Sequence, residues 1–147
     1  MSRLLNDRIA ITGSTGFVGK NLLEFFDKTN TKYISIRKTH FQRKNTTSFP
    51  KCFCMIHLIG IGDQTVEKSF DQVNVELTKK AIMICKRSKI KKIIYFSGLG
   101  ASKNSLSKYF ASKFKSEGTE INSEGFIIKQ KGDVIVFNGK TSLILNQ

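Results

Sequence analysis

The chain has 147 residues, 39% apolar and 24% charged, with 12 Phe and 3 Tyr but no Trp. That is enough for one hydrophobic core and too little for two. A single Pro and 11 Gly exclude collagen-like and Pro-rich disordered chains, no apolar run approaches the ~20 residues of a membrane-spanning helix, and a net charge of +14 favours anionic partners without specifying a fold.

The opening Met1 to Asp7 lacks an apolar stretch after Arg3, so a soluble chain without a secretory leader is expected. Arg8 to Thr12 is a short apolar run closed by Gly13, a buried strand by its length and flanks. Phe17, Val18, Leu22, Leu23, Phe25 and Phe26 then recur at helical spacing, to about Thr29. Tyr33 to Arg37 alternates and is rich in strand formers, a second strand. Lys38 to Lys51 keeps no period, is polar and basic, and reads as a loop or a degenerate crossover. Cys52 to Ile59 is a third strand, and about Val66 to Ser88 a long helix. Lys92 to Phe96 is a fourth strand, Lys108 to about Glu124 a helix, and Phe126 to Ile128 and Val134 to Phe137 extended.

Strands alternating with helices of crossover length predict an α/β fold: a single domain over 1–147 with a parallel sheet covered on both faces. Right-handed crossovers make it doubly wound, with its ligand crevice beyond the carboxyl ends of the strands. Function is therefore sought just after residues 12, 37, 59 and 96.

Cys52, Cys54 and Cys85 are odd in number, and Cys52 and Cys54 would face one side of their strand. With only His40 and His57 for company and no Cys-x2-Cys pair, they predict no metal site; buried, reduced thiols in a reducing compartment are expected. His57 ends the third strand in an apolar setting and is read as a satisfied core or rim histidine.

After the first strand stands Gly13-Ser14-Thr15-Gly16-Phe17-Val18-Gly19. Such a triplet permits a tight turn, lets backbone approach a pyrophosphate, and packs the following helix closely on the sheet. Free N–H groups at the helix start add partial positive charge for the phosphates. Placed between a strand and an amphipathic helix, the motif predicts a dinucleotide site. The second strand ends in Arg37-Lys38 with no acid nearby, which suits the 2′-phosphate of NADP better than the ribose hydroxyls of NAD. NADP is the expected cofactor, with NAD the alternative.

In addition to these motifs, Ile56-His57-Leu58-Ile59-Gly60, Asn74 to Thr78, Ile94 to Ser102 and Tyr109-Phe110-Ala111-Ser112-Lys113 follow one another in order. Together with the glycine loop the set resembles the NAD-dependent epimerase/dehydratase group of short-chain dehydrogenases. The likeness is greatest to the branch holding the nucleotide-binding accessory subunit of respiratory complex I. The resemblance implies that Gly13, Gly16 and Gly19 wrap the pyrophosphate, with Ser14, Thr15, Phe17 and Val18 giving backbone contacts. It implies that Leu58, Ile59 and Gly60 line the adenine-ribose side and that Asn74 lies near the active edge. Ser97 would sit beside the nicotinamide, and Tyr109 with Lys113 would be the reactive pair.

Residues four apart share a helix face, so Lys113 is expected beside the Tyr109 phenol, where its charge favours the phenolate. Tyr109 could then exchange a substrate proton during hydride transfer, with Ser97 orienting the substrate oxygen. Glu117 is read as an i,i+4 partner of Lys113. The chain departs from the group in three places. The Ser97–Tyr109 segment is short, with Leu99 where a catalytic hydroxyl often lies. An Arg-Pro is missing around Ile128 to Asp133, and the cap that in the group recognises substrate and excludes water is expected to be largely absent.

Two functions follow as expectations. One is an NADP-preferring oxidoreductase or epimerase-type enzyme acting on a small-molecule substrate. The other is a non-catalytic dinucleotide-binding subunit docking on a larger assembly, an acidic protein partner suiting the basic surface. Cations crowd Lys79 to Lys92 and Lys38 to Lys51, but no nucleic-acid-binding module appears, and a solvated face is the preferred reading. A cytoplasmic location is expected, with a place peripheral to a membrane complex as the variant.

Overall fold

The computed structural model describes residues 8–42, 49–62, 64–97 and 101–116, together with the backbone of 127–131 and 134–138. Four short strands, β1 (Ile9–Thr12), β2 (Tyr33–Ile36), β3 (Cys54–His57) and β4 (Lys92–Phe96), pair in parallel. Two more, β5 (Ile127–Lys131) and β6 (Val134–Asn138), complete one sheet of order β2-β1-β3-β4-β6-β5. Between them lie α1 (Phe17–Lys28), α2 (Lys38–Gln42), α3 (Leu77–Arg87) and α4 (Lys108–Lys115). Asp71–Glu76, leading into α3, is π-helical.

The core divides by face. On one side Ile11, Cys54 and Ile56 meet Phe26, Leu22 and Leu23 of α1. On the other, Ala10, Met55 and Ile93 meet Ala81, Ile82, Ile84 and Cys85 of α3. The period-2 strands thus feed two layers, which is the doubly wound arrangement. The strand order reverses between β1 and β3, so the crevice that such a sheet offers opens beyond Thr12 and His57.

Several expectations need correction. The extended segments near the C-terminus do not join the parallel set: β6 runs antiparallel to both β4 and β5. Only two residues separate β5 from β6, and that connection admits no parallel pairing. Of the two readings of Lys38 to Lys51, the loop gives way to the degenerate crossover, since Lys38 begins the short helix α2. The His40 Nδ1 accepts from the Arg37 N–H at 2.8 Å, and Phe41 packs on the core. The third strand is shorter than 52–59, and this separates the thiols: Cys52, ahead of the strand, packs with the α3 face and Cys54 with the α1 face. All three cysteines are buried and free, and burial raises their thiol pKa values, that of Cys54 to about 11. The long helix starts at Phe70 rather than Val66. Residues Arg43, Lys44, Leu99, Glu117 and Phe126, with the rest of the expected helix beyond Ser116, lie outside the described residues.

Candidate functional site

The glycine turn is built by close approach. Gly13 has φ +70°, and a Cβ there would stand 2.9 Å from the Leu58 carbonyl carbon. A Cβ on Gly19 would stand 2.2 Å from the Gly13 carbonyl oxygen, inside any permissible contact. Only glycine lets α1 start this close to the end of β1. Gly16, extended at φ −75° and ψ 175°, leads into α1, whose first turn has no side-chain cap and no acidic residue. The positive end of a twelve-residue helix therefore faces outward beside Ser14, Thr15, Phe17 and Val18. Phe17 is 85% exposed. The register of β1 and β2 ends at Thr12 and Ile36, so Arg37 and Lys38 leave β2 where the glycine turn leaves β1, and both are exposed.

The second half of the site gathers where β3, β4, the π turn and α4 meet. Asn74, fully buried, accepts from the Ile61 N–H through Oδ1 at 2.9 Å. Its Nδ2 donates to Ser112 Oγ at 3.0 Å and to the Ile61 carbonyl at 3.4 Å. Its backbone carbonyl accepts from the hydroxyls of Thr78 at 2.6 Å and Ser116 at 2.8 Å. The widened π turn leaves that carbonyl open to two hydroxyl donors, which is a common use of such turns. Gly60 closes over this group: a Cβ there would meet Lys113 Nζ at 3.2 Å and Asn74 Oδ1 at 3.3 Å.

Lys113 is 6% exposed. Its ammonium donates to the Phe96 carbonyl at 3.0 Å and lies 4.9 Å from the Tyr95 ring centroid and 5.7 Å from that of Tyr109. Tyr109 is half-buried, edge-on to Phe70 and Phe110. Ser97, buried, follows the Phe96 carbonyl at the end of β4. A cavity of about 310 Å³ opens between the start of the π turn and α4, lined by Gln64, Phe70, Asp71, Lys108, Ala111, Ser112 and Lys115, none of them in the glycine turn.

Of the residues singled out from sequence, Gly60, Asn74 and Lys113 meet directly, and Tyr109 borders them through its ring. Leu58 and Ile59 wall the Gly13 turn. Arg37 and Lys38 stand on the far side of that turn, beyond β2. Thr12, Thr78, Ser112 and Ser116, whose hydroxyls link the two halves, are not expected from the sequence. The i,i+4 spacing of Asn74 with Thr78 and of Ser112 with Ser116 was the available signal.

His57 lies between the halves, 1% exposed, with ring nitrogens on Thr12 Oγ1 at 2.7 Å and Thr78 Oγ1 at 3.0 Å. Burial first, then the Lys113 ammonium, push its pKa down from 6.5 to about 3. The imidazole is neutral, a satisfied core histidine. Among the described residues no group of His, Cys, Asp and Glu could hold a metal, and no helix is long and apolar enough to cross a membrane.

No family model and no curated protein matches the chain. Solved structures do. MoeE5 in complex with UDP-glucose and NAD superposes with TM-score 0.63 at 14% identity, over 78% of this chain and 48% of that one. The dTDP-4-dehydrorhamnose reductase of Bacillus anthracis, in complex with NADP, gives 0.59 at 17% identity, over 79% and 49%. The ADP-L-glycero-D-manno-heptose-6-epimerase of Helicobacter pylori gives 0.57 at 19% identity, over 82% and 52%. The chain spans about half the length of these structures. It has the Rossmann-type α/β fold that they share.

Proposed function

We propose that the chain binds a nicotinamide dinucleotide across the carboxyl ends of β1 and β3. We further propose that it works as an NADP-preferring oxidoreductase or epimerase of the short-chain dehydrogenase superfamily. The observation that carries this reading is the cradle at Gly13–Gly19, where Gly13 and Gly19 leave no room for a Cβ and the uncapped start of α1 faces outward. A diphosphate supplies the negative charge and acceptor oxygens that this arrangement lacks. The exposed Arg37 and Lys38, with no acid at the end of β2, support NADP over NAD.

A bound nicotinamide would give or take a hydride. The chain's own residues would do the rest. Tyr109 would exchange the proton of the substrate hydroxyl, Ser97 would orient its oxygen, and Lys113 would hold cationic charge beside the Tyr109 ring. Asn74, through Ser112 and Gly60, would fix the helix that carries the pair. Since the solved neighbours are complexed with or named for nucleotide-linked sugars, a hydroxyl or carbonyl on such a sugar is the first substrate class to try.

Thermal-shift titration of the protein with NADPH and NADH tests the binding. NADPH is expected to raise the midpoint at lower concentration than NADH, and no rise with either at millimolar dose overturns the reading. Turnover should fall by about a hundredfold or more in Tyr109→Phe, the usual scale for losing a general acid–base group. A second reading, a non-catalytic dinucleotide-binding subunit docking on an acidic partner, is favoured by the net charge of +14. Tight NADPH binding with no turnover would select it.

A further inference from the structure

The hydroxyls around His57 leave one consistent direction for the hydrogen bonds. Thr78 Oγ1 spends its proton on the Asn74 carbonyl, so it accepts from His57, and the imidazole carries its proton on Nε2. His57 Nδ1 is then an acceptor and takes the Thr12 hydroxyl proton. Thr12 Oγ1 in turn accepts from the Leu58 N–H at 3.1 Å. The chain therefore runs Leu58 N–H, Thr12, His57, Thr78 and ends on the Asn74 backbone carbonyl, which also accepts from Ser116; the Asn74 side-chain amide separately donates to Ser112. Every link is buried or half-buried, where such bonds are strong and costly to leave unmade. At one end lies the lip of the glycine turn and at the other the helix carrying Tyr109 and Lys113.

We infer that His57 is a positioning residue that ties the placement of the glycine turn to the placement of Asn74, so that occupation of one half of the site is felt in the other. No other described side chain contacts both Thr12 and Thr78 in this way. The tie rests on the dinucleotide reading above, since it gives the turn its ligand.

The test uses the full chain, labelled with ¹⁵N, and ADP as the probe, a half-cofactor that fills the diphosphate cradle without carrying a nicotinamide. In the wild type, ADP should shift the backbone amides of the Gly13–Gly19 turn and the side-chain amide of Asn74. In His57→Leu, ADP should bind about tenfold more weakly, the scale of one buried hydrogen bond, and leave the Asn74 signal still at saturation. His57→Asn places an acceptor where Nδ1 stands but does not reach Thr78. It should recover the affinity and not the Asn74 response, and it keeps the test decisive should the leucine variant fail to fold. An Asn74 signal that ignores ADP in the wild type, or answers it equally in His57→Asn, overturns the inference while leaving the dinucleotide site standing. If the glycine-turn amides themselves do not move, the dinucleotide reading falls and takes this inference with it.

Discussion

The two halves of the site are made of different materials. The Gly13–Gly19 turn is backbone: it works by what is missing, side chains at Gly13 and Gly19 and a cap at the start of α1. The half around Asn74 is mostly side chain: an amide, three hydroxyls, an imidazole and an ammonium, all buried, and bonded to one another or to the Asn74 and Phe96 carbonyls. A backbone cradle tolerates changes at its exposed positions, Thr15 or Phe17, and none at its contact points. A buried polar cluster tolerates little anywhere, because removing one partner strands the next. The first should therefore fail by steric clash and the second by unmet hydrogen bonds.

The sharpest break in this contrast is Gly19→Ala. One methyl group would have to enter a 2.2 Å gap against the Gly13 carbonyl oxygen, which is rigid backbone, so α1 must move off β1. A loss of about 3 kcal/mol is expected, at the top of the overpacking range, with loss of the diphosphate cradle. Urea unfolding and dinucleotide titration read the two effects. A variant as stable as the wild type would mean that the turn is not held where we place it.

In the other half, Asn74→Leu keeps the branched heavy-atom outline and removes three hydrogen bonds at once. It leaves the Ile61 N–H and the Ser112 hydroxyl to find new partners. About 2–3 kcal/mol of stability should go, by desolvated groups left unpaired rather than by clash. The diphosphate affinity should survive better than in Gly19→Ala, and equal losses of affinity in the two variants would erase the distinction.

How far each half could be read from the sequence follows the same division. A backbone device leaves its mark in consecutive residues, so Gly13, Gly16 and Gly19 between a strand and an amphipathic helix could be recognised directly. The sheet's parallel strands, marked by short apolar runs and, at Tyr33 to Arg37, by alternation, are equally plain. The cluster joins Thr12, His57, Asn74, Thr78 and Ser112 across as many as 100 positions of chain, and nothing local in the sequence marks such a contact. Its one local sign, hydroxyls four residues after Asn74 and Ser112, is too common among polar helices to stand out. The helix α2 escaped for a similar reason: a single core contact, Phe41, carries no period. Cys52 and Cys54 share a face only in a strand that starts at 52, and β3 starts at Cys54.

The imidazole gives the cluster a pH signature that the glycine turn lacks. With a folded pKa near 3 against 6.5 for the ordinary residue, His57 takes a proton more readily when the chain unfolds. Its contribution is fully present above about pH 6.5 and is lost as pH falls towards 3. At 1.36 kcal/mol per pH unit, stability at pH 5 should be lower than at pH 7 by about 2 kcal/mol from this residue alone. Urea midpoints across that interval measure it. His57→Gln, which has nothing to titrate there, should flatten the profile, and an unchanged slope would show that another group carries it.

The smallest effect tests whether the cradle's rim acts on the ligand alone. Arg37 is exposed, leaves β2 where the glycine turn leaves β1, and offers its backbone, not its guanidinium, to His40. Replacing it with Ala therefore removes a surface charge and should leave the unfolding midpoint where it was, within about 0.5 kcal/mol. NADPH affinity should nevertheless fall by about tenfold, the worth of one charge-assisted phosphate contact, with NADH unaffected. That asymmetry is the useful part of the measurement. A parallel loss of both cofactors would place Arg37 at the diphosphate they share, and no loss of either would move the 2′-phosphate contact to Lys38 or abolish the NADP preference.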